Sequence, residues 1–115
     1  MEEKRLSNTI HGTVFNKNIL KIQSVKDFYT DITKVDISNM NMEIVNENKT
    51  VFEWILENPD YDFNSLFETH HTNEELLRYF KIYYQNLVYI IDRYHKKDFI
   101  IKPDDLFKII LRHWS

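Results

Sequence analysis

The sequence offers few residues whose types and spacing could do chemistry. His70 and His71 are adjacent and sit among Glu68, Glu74 and Glu75. Imidazole beside carboxylate is a donor set that can hold zinc or another transition metal. Adjacent side chains tend to point apart, however, and no His-x-x-x-His pair occurs nearby. The pair is expected to be two loop histidines preceding a helix, and His11, His95 and His113 stand alone. A second set is Asp36 with Glu47-Asn48-Lys49. It resembles the aspartate plus Glu-x-Lys pattern by which restriction-type nucleases hold a divalent cation. In those enzymes the Glu-x-Lys lies in a strand, whereas this one reads as a polar turn.

Other catalytic classes are excluded more firmly. The chain has no cysteine, which removes thiolate nucleophiles, thiolate metal sites and disulfides. Its single glycine, Gly12, rules out a glycine-rich phosphate loop. No nucleophile elbow supports serine catalysis. The expectation is a protein with no catalytic residues, no metal and no cofactor.

Charge points instead to binding. The formal net charge is −3, but it is unevenly spread. Residues 43–75 hold nine carboxylates against one base, Lys49, a balance of −8; residues 76–115 hold eight bases against four acids, a balance of +4. The two regions could neutralise each other across the fold. Alternatively, the acidic stretch is exposed and attracts a basic partner, since clustered charge of one sign speeds encounter and selects partners. Within it, Glu53, Trp54, Glu57, Asp60, Tyr61, Asp62, Phe63 and Glu68 interleave rings with carboxylates. Aromatic anchors ringed by charge are what a binding hot spot requires, and these eight are the candidate partner-binding residues.

Nucleic acid is a poor match for a sequence pI near 5.9. A bilayer is another: the uncharged stretch 82–91 is far shorter than the roughly 20 residues a span needs. The first residues lack the apolar core of a signal peptide, so the Asn48-Lys49-Thr50 sequon is expected to be empty and the location cytoplasmic. There is no alanine, and Ile, Asn, Lys, Tyr and Phe are abundant. That usage fits an AT-rich genome, or an accessory gene carried by a phage or mobile element.

The elements that must position these residues follow from periodicity. At 115 residues the chain has the length of one domain, expected over 1–115 with residues 1–7 as a flexible tail. The β-branched run 9–15 and Ile19-Leu20-Lys21-Ile22, separated by an asparagine-rich turn, read as a hairpin. Ser24 reads as the N-cap of a helix reaching Val35, with Asp27 in its first turn. Met40, Met42 and Ile44 alternate with polar residues as in a half-buried strand, with a turn over 46–49. Residues 50–57 fit either a strand or a helix entered from Asn48, and Asn58-Pro59 favours helix. Residues 58–72 read as irregular, with one helical turn near 64–68.

Thr72 with Glu75 forms a capping box, opening a long helix over about 73–95. Along it Leu76, Phe80, Tyr83, Leu87, Ile90 and Tyr94 make a heptad-like seam, and Leu77, Tyr84, Val88 and Ile91 a second apolar stripe. A helix apolar over so much of its circumference must be covered on most sides. Pro103 opens a final helix over about 103–113, carrying Leu106, Phe107, Ile110, Leu111 and, just beyond it, Trp114.

The expected fold is α+β: short N-terminal strands with one amphipathic helix, then a helical half built on the long helix. The expected function is a non-enzymatic inhibitor or immunity-type protein that neutralises a basic partner, such as a toxin, nuclease or defence protein. A homodimer or larger homo-oligomer assembled through the long helix, and a small metal-dependent nuclease or hydrolase, are the alternatives.

Overall fold

In the computed structural model, residues 1–14, 18–29, 32–66 and 69–102 are described. They form three α-helices, α1 (Glu3–Val14), α2 (Met42–Glu57) and α3 (Asn73–His95), joined by short 3-10 turns. Two two-residue strands, β1 (Val35–Asp36) and β2 (Ile100–Ile101), pair antiparallel with Val35 opposite Ile101. The fold is thus mostly helical with one small sheet, broadly α+β. The final helix expected over 103–113 lies outside the described residues.

α3 follows the sequence reading closely. Thr72 accepts a hydrogen bond from the Glu75 N–H at 3.1 Å, and Glu75 accepts one from the Thr72 N–H at 2.9 Å. This reciprocal pair satisfies two donors that the first turn would otherwise leave bare. The Thr72 N–H holds the Glu75 carboxyl below the usual carboxylate range.

The far end of α3 stops in a Schellman arrangement. The Asp98 N–H reaches the Arg93 carbonyl at 3.0 Å and the Lys97 N–H reaches that of Tyr94 at 3.1 Å. This requires a left-handed residue, and Lys97 supplies it with φ of 58°. The single glycine is spent elsewhere, inside α1, so neither glycine nor asparagine takes that conformation here.

The N-terminal third overturns the hairpin. Residues 9–14 belong to α1, because Leu6, Ile10 and Val14 recur at helical spacing and all three are buried. β-branched composition suggested strands, but the burial period is that of a helix. Residues 19–21 form a 3-10 turn (Ile19–Lys21), not the return strand. Residues 1–7, expected as a tail, contain the first turn of α1 and the fully buried Leu6.

The helix expected over 24–35 shrinks to a 3-10 turn, Val25–Tyr29. Asp27 still works at its start, accepting from the Gln23 and Ser24 N–H groups at 2.7 and 3.0 Å. The chain then turns extended, because Val35 pairs with Ile101 and the fully buried Ile37 donates its N–H to the Phe99 carbonyl at 2.8 Å.

The strand expected over 40–44 is also wrong. Asn41 caps α2 instead, accepting from the Glu43 and Ile44 N–H groups. The alternation misled because Ile44 faces solvent, 53% exposed, while Val51, Phe52 and Ile55 carry the buried face. The expected turn over 46–49 is mid-helix. The helix expected over 50–57 is present, entered from Asn41 rather than Asn48.

Two buried clusters sit along α3. The first joins Leu6, Ile10 and Val14 of α1, Val51, Phe52 and Ile55 of α2, and Phe63 to Leu76, Tyr79, Phe80 and Leu87. The second joins Val25, Tyr29, Ile37 and Ile101 to Ile82, Tyr89 and Ile90. Two phenol hydroxyls tie the core together. The Tyr79 hydroxyl donates to the Thr13 carbonyl at 2.7 Å, one of the last carbonyls of α1, which have no partner within their own helix. The Tyr29 hydroxyl donates to Asn86 Oδ1 at 2.6 Å. Burial pushes the Tyr29 phenol up to about 12, against the opposing pull of the Asn86 bond. Arg78 clamps the turn Ile19–Lys21 onto α3, donating to the Ile22 and Ile19 carbonyls at 2.9 and 3.0 Å.

Candidate protein-docking surface

The acidic, aromatic stretch is built from the last turns of α2, the loop after it and the 3-10 turn Phe63–Leu66. Asn58 ends α2, its side-chain amide donating to the Trp54 carbonyl at 2.8 Å. Asn73, at the start of α3, fixes the far side of the loop. Its amide donates to the Tyr61 carbonyl at 3.0 Å, and its Oδ1 accepts from the Phe63 N–H at 2.9 Å. The loop is therefore pinned at both ends, and its side chains are presented on a defined backbone.

Rings run from surface to core along this segment. Trp54 and Tyr61, both half-buried, meet edge to face at 5.4 Å between centroids. Tyr61 stands 5.2 Å from Phe63, which lies 5.7 Å from Phe80 in the core. Phe63 is 0% exposed. It anchors the loop and is closed to any partner, so it leaves the candidate set. Trp54 and Tyr61 keep an accessible edge while their other sides rest on the core.

The carboxylates divide in the same way. Glu53 is held by Lys49, 3.0 Å away and one helical turn back. Glu57, Asp60 and Asp62 are exposed, and among the described residues no ion pair involves them. Glu68 lies outside the described residues. Lys49–Glu53, Arg93–Asp98 and Lys96–Asp92 are ion pairs between residues local in sequence. None joins the acidic stretch to the basic region that follows it.

A groove lies beside this patch that composition did not reveal. Leu56 and Pro59 form one side, with Leu77, Arg78, Lys81, Ile82 and Glu74 of α3 opposite, enclosing about 780 Å³. A smaller hollow of about 340 Å³ continues along Tyr84, Gln85 and Val88, sharing Leu56 and Lys81. Leu77, Tyr84 and Val88 belong to the second apolar stripe of α3. The signal was present in that stripe; its partner across the groove, Leu56, was not legible without the fold.

The remaining candidates are dispersed. Asp36 lies in β1 and accepts from the Ser38 N–H at 2.9 Å, which lowers its pKa. Glu47 and Lys49 lie on α2, with Lys49 bound to Glu53. The Glu-x-Lys is therefore helical, without the strand geometry of the nuclease pattern. His70 and His71 do not point apart: their rings lie 4.4 Å from each other. The His71 carbonyl is held by the Asn64 amide. Among the described residues, no three histidine or carboxylate side chains cluster closely enough to hold a metal ion. No helix among them is long and apolar enough to cross a membrane.

Comparison with protein-family models, curated proteins and solved structures finds no match to this chain.

Proposed function

We propose that the protein is a non-catalytic binding module that docks a basic protein partner through the face formed by Trp54, Glu57, Asp60, Tyr61 and Asp62. The observation that carries this reading is the pairing of two supported, half-exposed rings with three carboxylates that meet no cation among the described residues. A rigid aromatic pair gives a partner apolar area at little entropic cost, and the surrounding carboxylates steer a basic surface toward it. An inhibitor or immunity-type protein that neutralises a toxin, nuclease or defence protein suits this chemistry. The acidic balance of residues 43–75 and an amino-acid usage that suits AT-rich codons support that choice.

The test is a charge reversal. Immobilised wild-type protein and the double variant Asp60→Lys, Asp62→Lys are compared for retention of basic proteins from the source cell, at low and high salt. The wild type should retain a basic protein in a salt-sensitive way, and the variant should lose most of it. Equal retention by both would remove the acidic face from the mechanism. Trp54→Ala separates the aromatic part, and should weaken retention at all salt concentrations.

A further inference from the structure

We propose that the groove between α2 and α3 receives an amphipathic helix of the basic partner, its apolar side seated on Leu56, Leu77, Tyr84 and Val88. The inference rests on the docking reading above and names the element by which that partner binds.

The groove follows from how the two helices pair. Leu56 lines it with Leu77 and Lys81. The Phe52 ring stands 5.6 and 4.8 Å from those of Phe80 and Tyr83, and Lys49 lies within electrostatic reach of Tyr84. α2 therefore runs back as α3 advances, and the antiparallel pair leaves a trough on its outer side. From Glu74 to Val88 the trough follows α3 for about 21 Å, roughly four helical turns. A trough open along its length does not enclose a small molecule, whereas small-ligand sites cover most of their ligand. An amphipathic helix needs only its apolar face covered, and grooves of this kind receive such helices.

Charge sorts the two walls. Next to Leu56 and Pro59 on one wall stand Glu57 and Asp60, both exposed. Arg78 and Lys81 lie on the other, with Arg78 fixed by the Ile22 and Ile19 carbonyls. A helix with lysine or arginine along one flank and carboxylates along the other answers both walls. Its basic flank then adjoins the acidic face, so that face and groove make one surface for one partner. Gln85, which lines the smaller hollow, keeps its Oε1 out of solvent and without a donor. A side-chain N–H of the occupant meets that acceptor after a turn of the amide. A second copy of the chain does not fit this description. Among the described residues, α1, α2 and α3 leave one large apolar side chain exposed, Ile44, and so offer no apolar stripe to insert.

The test adds synthetic helical peptides of about fifteen residues to the full chain. All carry leucine at helical spacing. One has arginine along one flank and glutamate along the other; a second has glutamate along both. The first should shift the amide resonances of Leu56, Leu77, Tyr84 and Val88 until they saturate, and the second should bind roughly tenfold more weakly. Leu77→Asp should abolish the shifts; if that variant does not fold, Leu77→Ala should weaken them. Equal binding of the two peptides, or shifts confined to other surfaces, would overturn the proposal. So would the same shifts on concentrating the protein without peptide, because a second copy would then occupy the groove. Retention of basic proteins separates this inference from the reading beneath it. Loss with Asp60→Lys, Asp62→Lys but not with Leu77→Asp would remove the groove and leave the acidic face standing. Retention that survives the charge reversal would remove the acidic face itself.

Discussion

The two sides of α3 carry similar residues and meet different fates. Inward, Leu76, Tyr79, Phe80 and Leu87 are buried to within a few per cent by α1, α2 and the 3-10 turn at Phe63. Outward, Leu77, Tyr84 and Val88 are only half covered and line a groove. Hydrophobicity alone does not separate these sets. What separates them is whether neighbouring elements bring matching apolar faces, since burial energy is realised only where water is excluded. The inner side is the core, and the outer side lines an open groove.

The contrast is sharpest in the response to truncation. Phe80→Ala removes a fully buried ring that touches Phe52 and Phe63, at 5.6 and 5.7 Å between centroids. Its loss should cost about 3–5 kcal/mol, from lost transfer energy and the cavity left behind. Leu77→Ala on the outer side should cost a small fraction of that. Chemical denaturation of both variants checks the difference. Comparable losses would mean that the outer stripe is as fully buried as the inner one.

The same contrast explains how much the sequence disclosed. α3 was legible because its signals are local: the Thr72–Glu75 box, unbroken helical spacing and basic residues in the last turn all lie within the element. The end of α2 was legible for the same reason, through Asn58 and Pro59. The N-terminal region was not. Residues 9–14 have the composition of a strand, and only their burial against α2 and α3 selects the helix. Ile44 supplied a false alternation because its exposure is decided by neighbours distant in sequence. At the candidate site, sequence marked the acidic, aromatic stretch as a unit but could not say that Phe63 turns inward while Trp54 and Tyr61 stay at the surface.

A polar contact on the inner side gives a second test, smaller in effect. Tyr29→Phe leaves the buried Asn86 carbonyl oxygen without its donor, at a cost of about 1–3 kcal/mol. The contact also predicts alkaline sensitivity. A free phenol ionises near pH 10, whereas burial holds the Tyr29 phenol un-ionised to about 12. The folded state thus favours the protonated form, and this stabilisation is complete below about pH 10. It should fall away as the pH rises from about 10 to 12, with burial of Tyr79 and Tyr83 acting in the same direction. Denaturant titrations across that range should show a steeper decline for wild type than for Tyr29→Phe. Parallel declines would detach the effect from this residue.

The smallest expected effects concern backbone rather than burial, and they run toward greater stability. Gly12 lies in α1 with no positive φ, and a Cβ added there meets nothing within 4 Å. Gly12→Ala should therefore stabilise by about 1 kcal/mol, through helix propensity and a less disordered unfolded chain. Lys97 presents the opposite mismatch, an L-residue in the left-handed region at the end of α3. Lys97→Gly should relieve about 1 kcal/mol there, because glycine has no Cβ to meet the carbonyl that follows. The two sites are distant in sequence and belong to separate helices, so their effects should add in the double variant. A rise in thermal midpoint for Gly12→Ala but not for Lys97→Gly would show that the lysine contributes something at that terminus beyond its strained backbone. The nearest source on its own element is the negative end of the α3 dipole, which a cation stabilises by a comparable amount.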